Sequence, residues 1–379
     1  MKKRKVTIVW KYIPQYRKSF YESMKIKLEQ MGIELALIYG QPSRSEAARK
    51  DSVDISWGQK VHNTYIMVGK RELLWQPALL LLQDSDLVIL EIANKLLINY
   101  ILLFQNALGM INMAFWGHGK NFQAKKEDYL SEKIKQILAT KVNWWFAYNE
   151  LGASVISALG YPRERITVVQ NAIDTNELKT KFEELKPEEI EQVRQQMGIT
   201  GKRIGLFVGG MYPDKQIKFL LDALVYIREQ IVDFEMIFIG SGIDAGLIKD
   251  ASEKHLWIHY LGPKFDSEKV PYFALSHLFL MPGAVGLAVL DCTTMGVPLI
   301  TTKDRFHGPE IEYLVAGDNG MIVDAGDDPQ IYARAVIDLL KDENKRLKLV
   351  DGCWSSRSKF SVENMVENFA NGIQSALAK

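Results

Sequence analysis

The chain has 379 residues and a formal net charge of +1 at pH 7. Its length exceeds that of a typical single core, so two domains are expected. Apolar residues make up 47% and charged residues 25%, which excludes a disordered chain. The two cysteines, Cys292 and Cys353, exclude a disulfide framework and are typical of a reduced, cytoplasmic protein.

Short apolar runs alternate with helical patterns in the first half. The predicted helices there span residues 20–31 and 95–107. Strands are predicted at residues 6–10, 34–39, 65–68, 87–91, 111–115, 144–148 and 166–169. Such alternation predicts a parallel sheet with right-handed crossovers.

Residues 177–200 are charged and helical, and the strand–helix rhythm then restarts. Strands are predicted at residues 204–208, 235–239, 257–260, 277–281, 298–301 and 321–323. Helices are predicted over 328–356 and 361–378. We therefore expect two doubly wound α/β domains, at 1–175 and 200–356. Ligands of such sheets bind outside the carboxyl ends of the strands, and the cleft between two such domains is the first candidate site.

The N-terminus carries no recognisable signal peptide, because the apolar run at 6–10 is too short. The most apolar region, 79–104, is broken by acids and amides and is not expected to span a membrane. Residues 1–175 hold 24 basic against 16 acidic side chains, a net +8, and the remainder is net −7. The basic half suits an anionic lipid surface or a diphosphate-bearing acceptor, and the alternative is a solvated surface with no partner. No long basic run or stacking motif predicts a nucleic-acid partner.

Several motifs occur in a fixed order between residues 171 and 320. They are NAID (171–174), FVGGMYPDK (207–215), FIGSG (238–242), YLG (260–262), PGAVGLAVLD (282–291), GVP (296–298), and EYLVAG with NG (312–317, 319–320). Together they resemble the nucleotide-binding domain of the family 4 glycosyltransferases (glycosyl transferases group 1), retaining enzymes of the GT-B fold. This resemblance implies two Rossmann-like domains facing across a cleft, with the helix at 361–379 packed back on the first.

The resemblance implies a nucleotide-sugar donor bound by the second domain. The leaving diphosphate develops negative charge, which Lys215 would neutralise and the helix start at 283–287 would bind through free N–H groups. The resemblance assigns the ribose hydroxyls to Asp291, and a carboxylate suits a diol. The predicted donor-binding residues are Gly209, Gly210, Lys215, Gly240, Gly242, Gly283, Ala284, Val285, Gly286, Leu287, Asp291, His307, Glu310 and Glu312. A surface lysine, a glycine loop and a solvent-facing aspartate are the plain alternatives.

His118 lies in Trp116-Gly-His-Gly119, directly after a predicted strand. In the resembling enzymes a histidine at such a strand end points toward the donor sugar, so His118 and Lys215 are the predicted catalytic residues. A buried structural histidine is the alternative. Tyr16, Arg17 and Lys18 either contact an acceptor or its phosphate, or form a polar surface loop. Glu310 and Glu312 either reach the donor sugar or cap the helix near Pro309.

The sequence departs from the family in three features: the arginine before the lysine, the pair of acids, and the loop after the first strand. Gly210 replaces an arginine that precedes the lysine, and Lys303 or Arg305 would have to replace that cation. Gly283 replaces the first of two acids, and Asp291 stands where the family has glutamate. The glycine-rich loop after the first strand is absent. In the resembling family the first acid contacts the donor sugar, so the sugar specificity of the family does not carry over.

Other cofactor signals are weak. Asp84-Ser-Asp86 precedes a strand, where acids commonly end a helix, and no His/Cys cluster has metal spacing. The glycines at 240–246 have a spacing that suggests a nicotinamide cofactor, but no acid ends the next predicted strand. We expect neither a metal nor another cofactor.

The sequence predicts a retaining, hexosyltransferase-type enzyme that moves a sugar from a nucleotide-sugar onto a glycan or lipid-linked glycan. Bacterial surface polysaccharide synthesis at the inner face of the plasma membrane is the expected setting. The alternatives are a nucleotide-sugar epimerase of similar architecture and a catalytically weak nucleotide-sugar-binding protein.

Overall fold

A computed structural model describes residues 3–47, 51–69, 71–119, 133, 136–303 and 307–378. The chain divides into two compact units. Unit 1 comprises residues 1–174 together with 361–379, and unit 2 comprises residues 175–360. The boundary follows the segment NAID, where the strands of unit 1 end and charged helices begin.

The described strands of unit 1 form a seven-stranded parallel sheet in the order β3-β2-β1-β6-β7-β8-β9 and a separate hairpin, β4-β5. Their bounds are β1 Arg4–Trp10, β2 Ile33–Tyr39, β3 Gln59–Lys60, β4 Thr64–Val68, β5 Arg71–Trp75, β6 Leu87–Glu91, β7 Met113–Gly117, β8 Trp144–Ala147 and β9 Ile166–Val168. The helices are α1 Lys18–Gln30, α2 Arg44–Ala47, α3 Leu97–Ala107, α4 Glu150–Ala158 and, from the end of the chain, α13 Val362–Ala378.

One predicted strand of unit 1 has a different role. Residues 65–68 were expected in the parallel sheet, but β4 instead pairs antiparallel with β5 in the hairpin. The tight connection passes through Gly69, whose φ of 62° suits a hairpin turn. The short β3 takes the sheet edge beside β2.

The strands of unit 2 form a six-stranded parallel sheet in the order β12-β11-β10-β13-β14-β15. Their bounds are β10 Arg203–Val208, β11 Phe234–Ile239, β12 Ile258–Tyr260, β13 Leu278–Leu280, β14 Leu299–Thr302 and β15 Gly320–Val323. The helices are α5 Asn176–Glu184, α6 Pro187–Gln196, α7 Ile217–Gln230, α8 Ala245–Lys254, α9 Val270–Leu275, α10 Ala288–Met295, α11 Pro329–Lys341 and α12 Glu343–Ser356.

Both sheets are buried on their two faces, as their continuous apolar strands require. In unit 1 the core includes Val88, Leu90, Phe115, Trp145 and Ile156. In unit 2 every residue of β11 is buried, from Phe234 through Ile239. None of the helices in the described ranges has the length and apolarity needed to cross a lipid bilayer.

The last helix, α13, completes the aromatic core of unit 1. Phe369 is fully buried and stacks on Phe146 with ring centroids 4.2 Å apart. Its ring also lies 4.9 Å from that of Trp116 and 5.5 Å from that of Phe20. Helix α13 also packs along α1, so residues distant in sequence close one core.

We predict that Phe369→Ala destabilises the protein by about 3–5 kcal/mol, because it leaves a cavity between three rings. Urea denaturation of the full chain, followed by tryptophan fluorescence, measures the change. Phe104→Ala is the matched control in unit 1, because Phe104 is 66% exposed. Equal shifts for the two variants would contradict the role assigned to α13.

Candidate functional site

In unit 2, the loops after β10 and β11 meet at the carboxyl edge of the sheet. The N–H of Gly209 donates to Ile239 O at 3.0 Å, and the N–H of Met211 donates to Ser241 O at 2.8 Å. A side chain at Gly240 would overlap the carbonyl of Gly209, and one at Gly242 would overlap that of Met211. These glycines therefore permit two backbone segments to lie in direct contact.

Lys215 closes a short 3-10 turn, Pro213–Lys215, between β10 and α7. Its Nζ donates to the carbonyl oxygen of Ala284. Burial lowers the pKa of Lys215, while the negative charges of Asp214 and Glu310 oppose that change. A cation is thus held at the carboxyl edge of the sheet by a neighbouring loop.

That neighbouring loop, residues 282–287, follows β13 and lies against the 213–215 turn. A Cβ at Gly283 would overlap Asp214 O and the Lys215 backbone, so only glycine fits there. The N–H of Ala284 donates to Asp214 O at 2.8 Å. The N–H of Val285 donates to His307 Nδ1 at 3.1 Å.

These bonds correct the prediction for 283–287. The helix begins at Ala288 rather than Gly283, and Leu287 is its N-cap residue. The N–H groups of Ala284 and Val285 already bond protein acceptors and are not free for an anion. Within the described ranges, the N–H groups of Gly286, Leu287 and Ala288 have no protein acceptor. The predicted anion site is therefore confined to the last residues of the loop and the first of α10.

His307 links this loop to β14. Its Nε2 lies 2.7 Å from Thr302 O, a carbonyl that only accepts, so Nε2 carries the proton and Nδ1 accepts from Val285. The N–H of Gly308 adds a bond to Val285 O at 2.9 Å. Burial lowers the pKa of His307, and the positive charge of Lys215 lowers it further. The hydrogen bond to Thr302 O opposes this shift. The neutral ring is part of the loop's framework.

Glu310 and Glu312 lie on the 3-10 helix Pro309–Tyr313, after β14. The Glu310 carboxylate lies beside Gly308, where an added Cβ would be 2.6 Å from Oε2. Its charge also acts on Lys215, so the structure brings Glu310, His307 and Lys215 into one cluster. Glu312 is half-buried on the same short helix.

Asp291 lies one turn into α10, as predicted, but it is buried, with 6% of its surface exposed. Its Oδ2 accepts from Lys269 Nζ at 2.7 Å. Oδ1 is buried without a hydrogen-bond partner in the described part of the chain. The alternative of a solvent-facing aspartate is wrong. Sequence reasoning missed Lys269, because nothing in the pattern around it distinguishes it from a surface lysine.

In unit 1, His118 follows β7 between Gly117 and Gly119. Its ring meets that of Tyr148 edge to face, with centroids 4.1 Å apart. Tyr148 follows β8, and its N–H donates to Gly117 O at 3.2 Å. The histidine is therefore half-buried at the carboxyl edge of the sheet, the edge predicted for ligands.

Contrary to the prediction, Arg17 is not available to an acceptor. It is only 2% exposed, and Nη2 donates to Asn171 Oδ1. Its guanidinium lies 5.2 Å from the ring of Trp116 and 5.4 Å from that of Tyr148. Arg17 thus packs within unit 1 because aromatic faces and an amide compensate its charge. Tyr16, 45% exposed, and Lys18 remain accessible.

A charged network at the ends of β1 and β6 was not predicted. Lys11 lies 3.1 Å from Glu46 and 3.8 Å from Glu91, and Lys95 lies 3.4 Å from Glu46. Burial opposes ionisation of Glu46, but Lys11, the Ser43 N–H and Lys95 together lower its pKa to about 2.

In the segment Asp84-Ser-Asp86, Asp86 contacts the first strand of unit 1. Its carboxylate pairs with Arg4 at 2.9 Å and accepts from the Lys5 N–H.

We predict that Gly283→Ala destabilises the protein by about 1–3 kcal/mol, because its methyl group must separate the 282–287 loop from the Lys215 turn. Gly286→Ala is the matched control three residues away. No atom of the described residues lies within 4 Å of a Cβ there, and neither glycine has a positive φ. Denaturation of both variants measures the difference, and similar stabilities would contradict the contact.

We predict that His307 titrates below pH 6.5. The unfolded chain then takes up the proton first, so stability contributed by neutral His307 is present above pH 6.5 and is lost as pH falls. The ¹⁵N shifts of the labelled ring should show the Nε2–H tautomer at pH 7.5. An Nδ1–H tautomer, or an apparent pKa above 6.5, would contradict the assigned bonds.

Residues 202–342 match the family model described as glycosyl transferases group 1. Spore coat protein SA of Bacillus subtilis (strain 168) is 27% identical over 237 residues, which are 58% of this chain and 61% of that protein. D-inositol 3-phosphate glycosyltransferase of Corynebacterium urealyticum is 28% identical over 217 residues, covering 53% and 49%. The matched stretch thus spans between about half and three fifths of these relatives.

Solved structures extend the likeness to the whole chain at the level of fold. The Anabaena protein HepE in complex with UDP has a TM-score of 0.66 at 16% identity, covering 98% of this chain and 100% of that chain. UDP-GlcNAc 2-epimerase from Neisseria meningitidis, bound to UDP-GlcNAc, has a TM-score of 0.63 at 14% identity, covering 98% and 99%. The chain therefore has the GT-B fold of two Rossmann-like domains, and its residues 202–342 match the glycosyl transferases group 1 model.

Proposed function

We propose that the protein is a glycosyltransferase that moves a sugar from a nucleotide-sugar donor onto a glycan or lipid-linked glycan. The observation that carries the proposal is the position of Lys215. Its ammonium group lies against the 282–287 loop at the carboxyl edge of the unit 2 sheet, within the domain that matches glycosyl transferases group 1. Ligands of parallel α/β sheets bind at this edge.

The chemistry of donor cleavage explains why a cation belongs there. When the sugar leaves, negative charge develops on the β-phosphate of the nucleoside diphosphate, and a preorganised cation stabilises that charge. The N–H groups of Gly286, Leu287 and Ala288, at the start of α10, would supply further donors. Lys215 is already held by Ala284, so little reorganisation is needed.

The remaining donor contacts follow from the same edge. Asp291 would accept a hydrogen bond from the ribose, and Glu310 would contact the transferred sugar beside Lys215. Because Gly210 stands where the family has an arginine, one of the cations that would bind the diphosphate is missing. Lys303 is a poor replacement, because it pairs with Asp324 at 3.0 Å, and Arg305 lies outside the described residues. Lys215 would then bear more of the charge than in the related enzymes.

Unit 1 would bind the acceptor and supply His118, which contacts the reacting sugar through a hydrogen bond or a shared proton. Exposed Tyr16 and Lys18 would line the acceptor side. We extend the proposal to retention of anomeric configuration without a metal, and to surface polysaccharide synthesis on an anionic membrane. These last points rest on the family resemblance and on the basic first half of the chain.

A nucleotide-sugar epimerase is the second candidate, because a UDP-GlcNAc 2-epimerase shares the fold. Incubation with UDP-GlcNAc in the absence of an acceptor separates the two activities. Isomerised nucleotide-sugar would favour the epimerase, whereas slow hydrolysis to free sugar and nucleoside diphosphate favours a transferase. Binding without either reaction would favour the third alternative, a non-catalytic binding protein.

We predict that one nucleoside diphosphate raises the melting temperature of the full chain independently of magnesium, since a ligand of the folded state stabilises it. Thermal shifts with UDP, GDP, ADP, CMP and NAD, each with and without magnesium, test this. Stabilisation by NAD alone, or by no diphosphate, would overturn the proposal.

Two variants in the same experiment separate binding from transfer. Lys215→Ala should lose at least tenfold in diphosphate affinity, as expected for the loss of a charge-assisted contact. His118→Ala should keep the diphosphate shift but lose about 10²-fold or more in turnover. Both variants should melt near the wild-type temperature without ligand. Unchanged turnover in both would refute the assigned site.

A further inference from the structure

The buried ion pair between Asp291 and Lys269 has no counterpart among the motifs of the sequence. Lys269 ends the 3-10 helix Asp266–Lys269, directly before α9, and its side chain is 14% exposed. The Asp291 side chain is 9% exposed, and the distance between Nζ and Oδ2 is 2.7 Å. The attraction between two charges so shielded from water is screened less than that of an exposed ion pair.

The two oxygens of this carboxylate have different surroundings. Oδ2 holds Lys269, whereas Oδ1 is buried with no hydrogen-bond partner in the ranges that the structure describes. Such an unmet acceptor is unfavourable, so a structural pair alone leaves Oδ1 unexplained. A ligand hydroxyl that donates to Oδ1 would complete the hydrogen bonding of the carboxylate.

We infer that Lys269 is a positioning residue that holds the Asp291 carboxylate with Oδ1 toward a ribose hydroxyl of the nucleotide. The inference rests on the proposed function, in which Asp291 binds the ribose. Aspartate is one methylene shorter than the glutamate of the family. An ion pair on Oδ2 fixes χ2, the torsion that orients the carboxylate, and so sets the direction of Oδ1.

The burial of Oδ1 strengthens the need for such an anchor. Protein atoms cover Oδ1 in this structure, so a ribose reaches it only when neighbouring side chains move. A carboxylate anchored by Lys269 keeps its place during that movement. The same anchor makes one oxygen, rather than both, available to the diol, which predicts selectivity for one ribose hydroxyl.

The test compares a nucleoside diphosphate with its 2′-deoxy and 3′-deoxy counterparts by titration calorimetry on the full chain, and the counterpart that binds wild type more weakly is the deoxynucleotide of the comparison. UDP, 2′-deoxy-UDP and 3′-deoxy-UDP are the probes, replaced by the matching GDP or ADP set if that base gives the thermal shift. Wild type should bind the ribonucleotide roughly tenfold or more tightly, as a hydrogen bond to a charged acceptor allows. Lys269→Met should reduce this ratio to below about threefold while the deoxynucleotide affinity changes less than twofold.

Three further variants separate positioning from mere packing. Lys269→Arg, which keeps a cation within reach, should retain most of the ratio. Lys254→Met is the matched control, because Lys254 is an exposed lysine at the end of α8. Lys269→Gln removes the charge but keeps a polar side-chain end, and it should also lose the ratio. It takes the place of Lys269→Met if the methionine variant does not fold.

The outcomes are distinguishable. A wild-type ratio in Lys269→Met, or an equal loss for both nucleotides, would overturn the positioning role and leave the proposed function intact. Equal binding of the ribonucleotide and both deoxy counterparts by wild type would do the same. If wild type binds no nucleoside diphosphate, the proposed function and this inference fall together.

Discussion

The close contact between Gly283 and the Asp214–Lys215 backbone determines the arrangement of the rest of the candidate donor site. Because residue 283 has no side chain, the loop after β13 lies directly on the turn after β10. Ala284 then bonds that turn through both of its backbone groups, to Asp214 O and to the Lys215 ammonium group. A larger residue at 283, such as the acid found in the resembling family, requires a different path for one of the two segments.

This contact also determines which backbone groups remain for a ligand. Ala284 and Val285 use their N–H groups within the protein, and His307 stays neutral in order to accept one of them. The helix consequently starts at Ala288, and its unbonded N–H groups lie later in the loop than the sequence pattern indicates. The presence of glycine rather than an acid at residue 283 therefore affects the path of the whole 282–287 loop as well as one side chain.

Much of this architecture could be predicted from periodicity and motif order. The bounds of the predicted strands lie within a few residues of the observed bounds, and β6 matches at both ends. The β4-β5 hairpin escaped prediction because an apolar run of four residues fits a parallel strand and a hairpin arm equally well. The Lys269–Asp291 and Lys11–Glu46 ion pairs were not predicted either. Their partners are separated by 22 and by 35 positions in the sequence, so they leave no local pattern.

Arg17 shows why a charged residue in a loop after a strand is an ambiguous signal. Its position after β1 is correct for a ligand contact, yet three aromatic rings, Asn171 and Met365 enclose the guanidinium. Met365 comes from α13, more than three hundred residues later in the chain. Burial of Arg17 therefore depends on the return of the last helix to unit 1, which a local motif cannot reveal. The same return brings Phe369 onto Trp116, two residues before His118. The final helix thus supports the strand end that carries the predicted catalytic histidine.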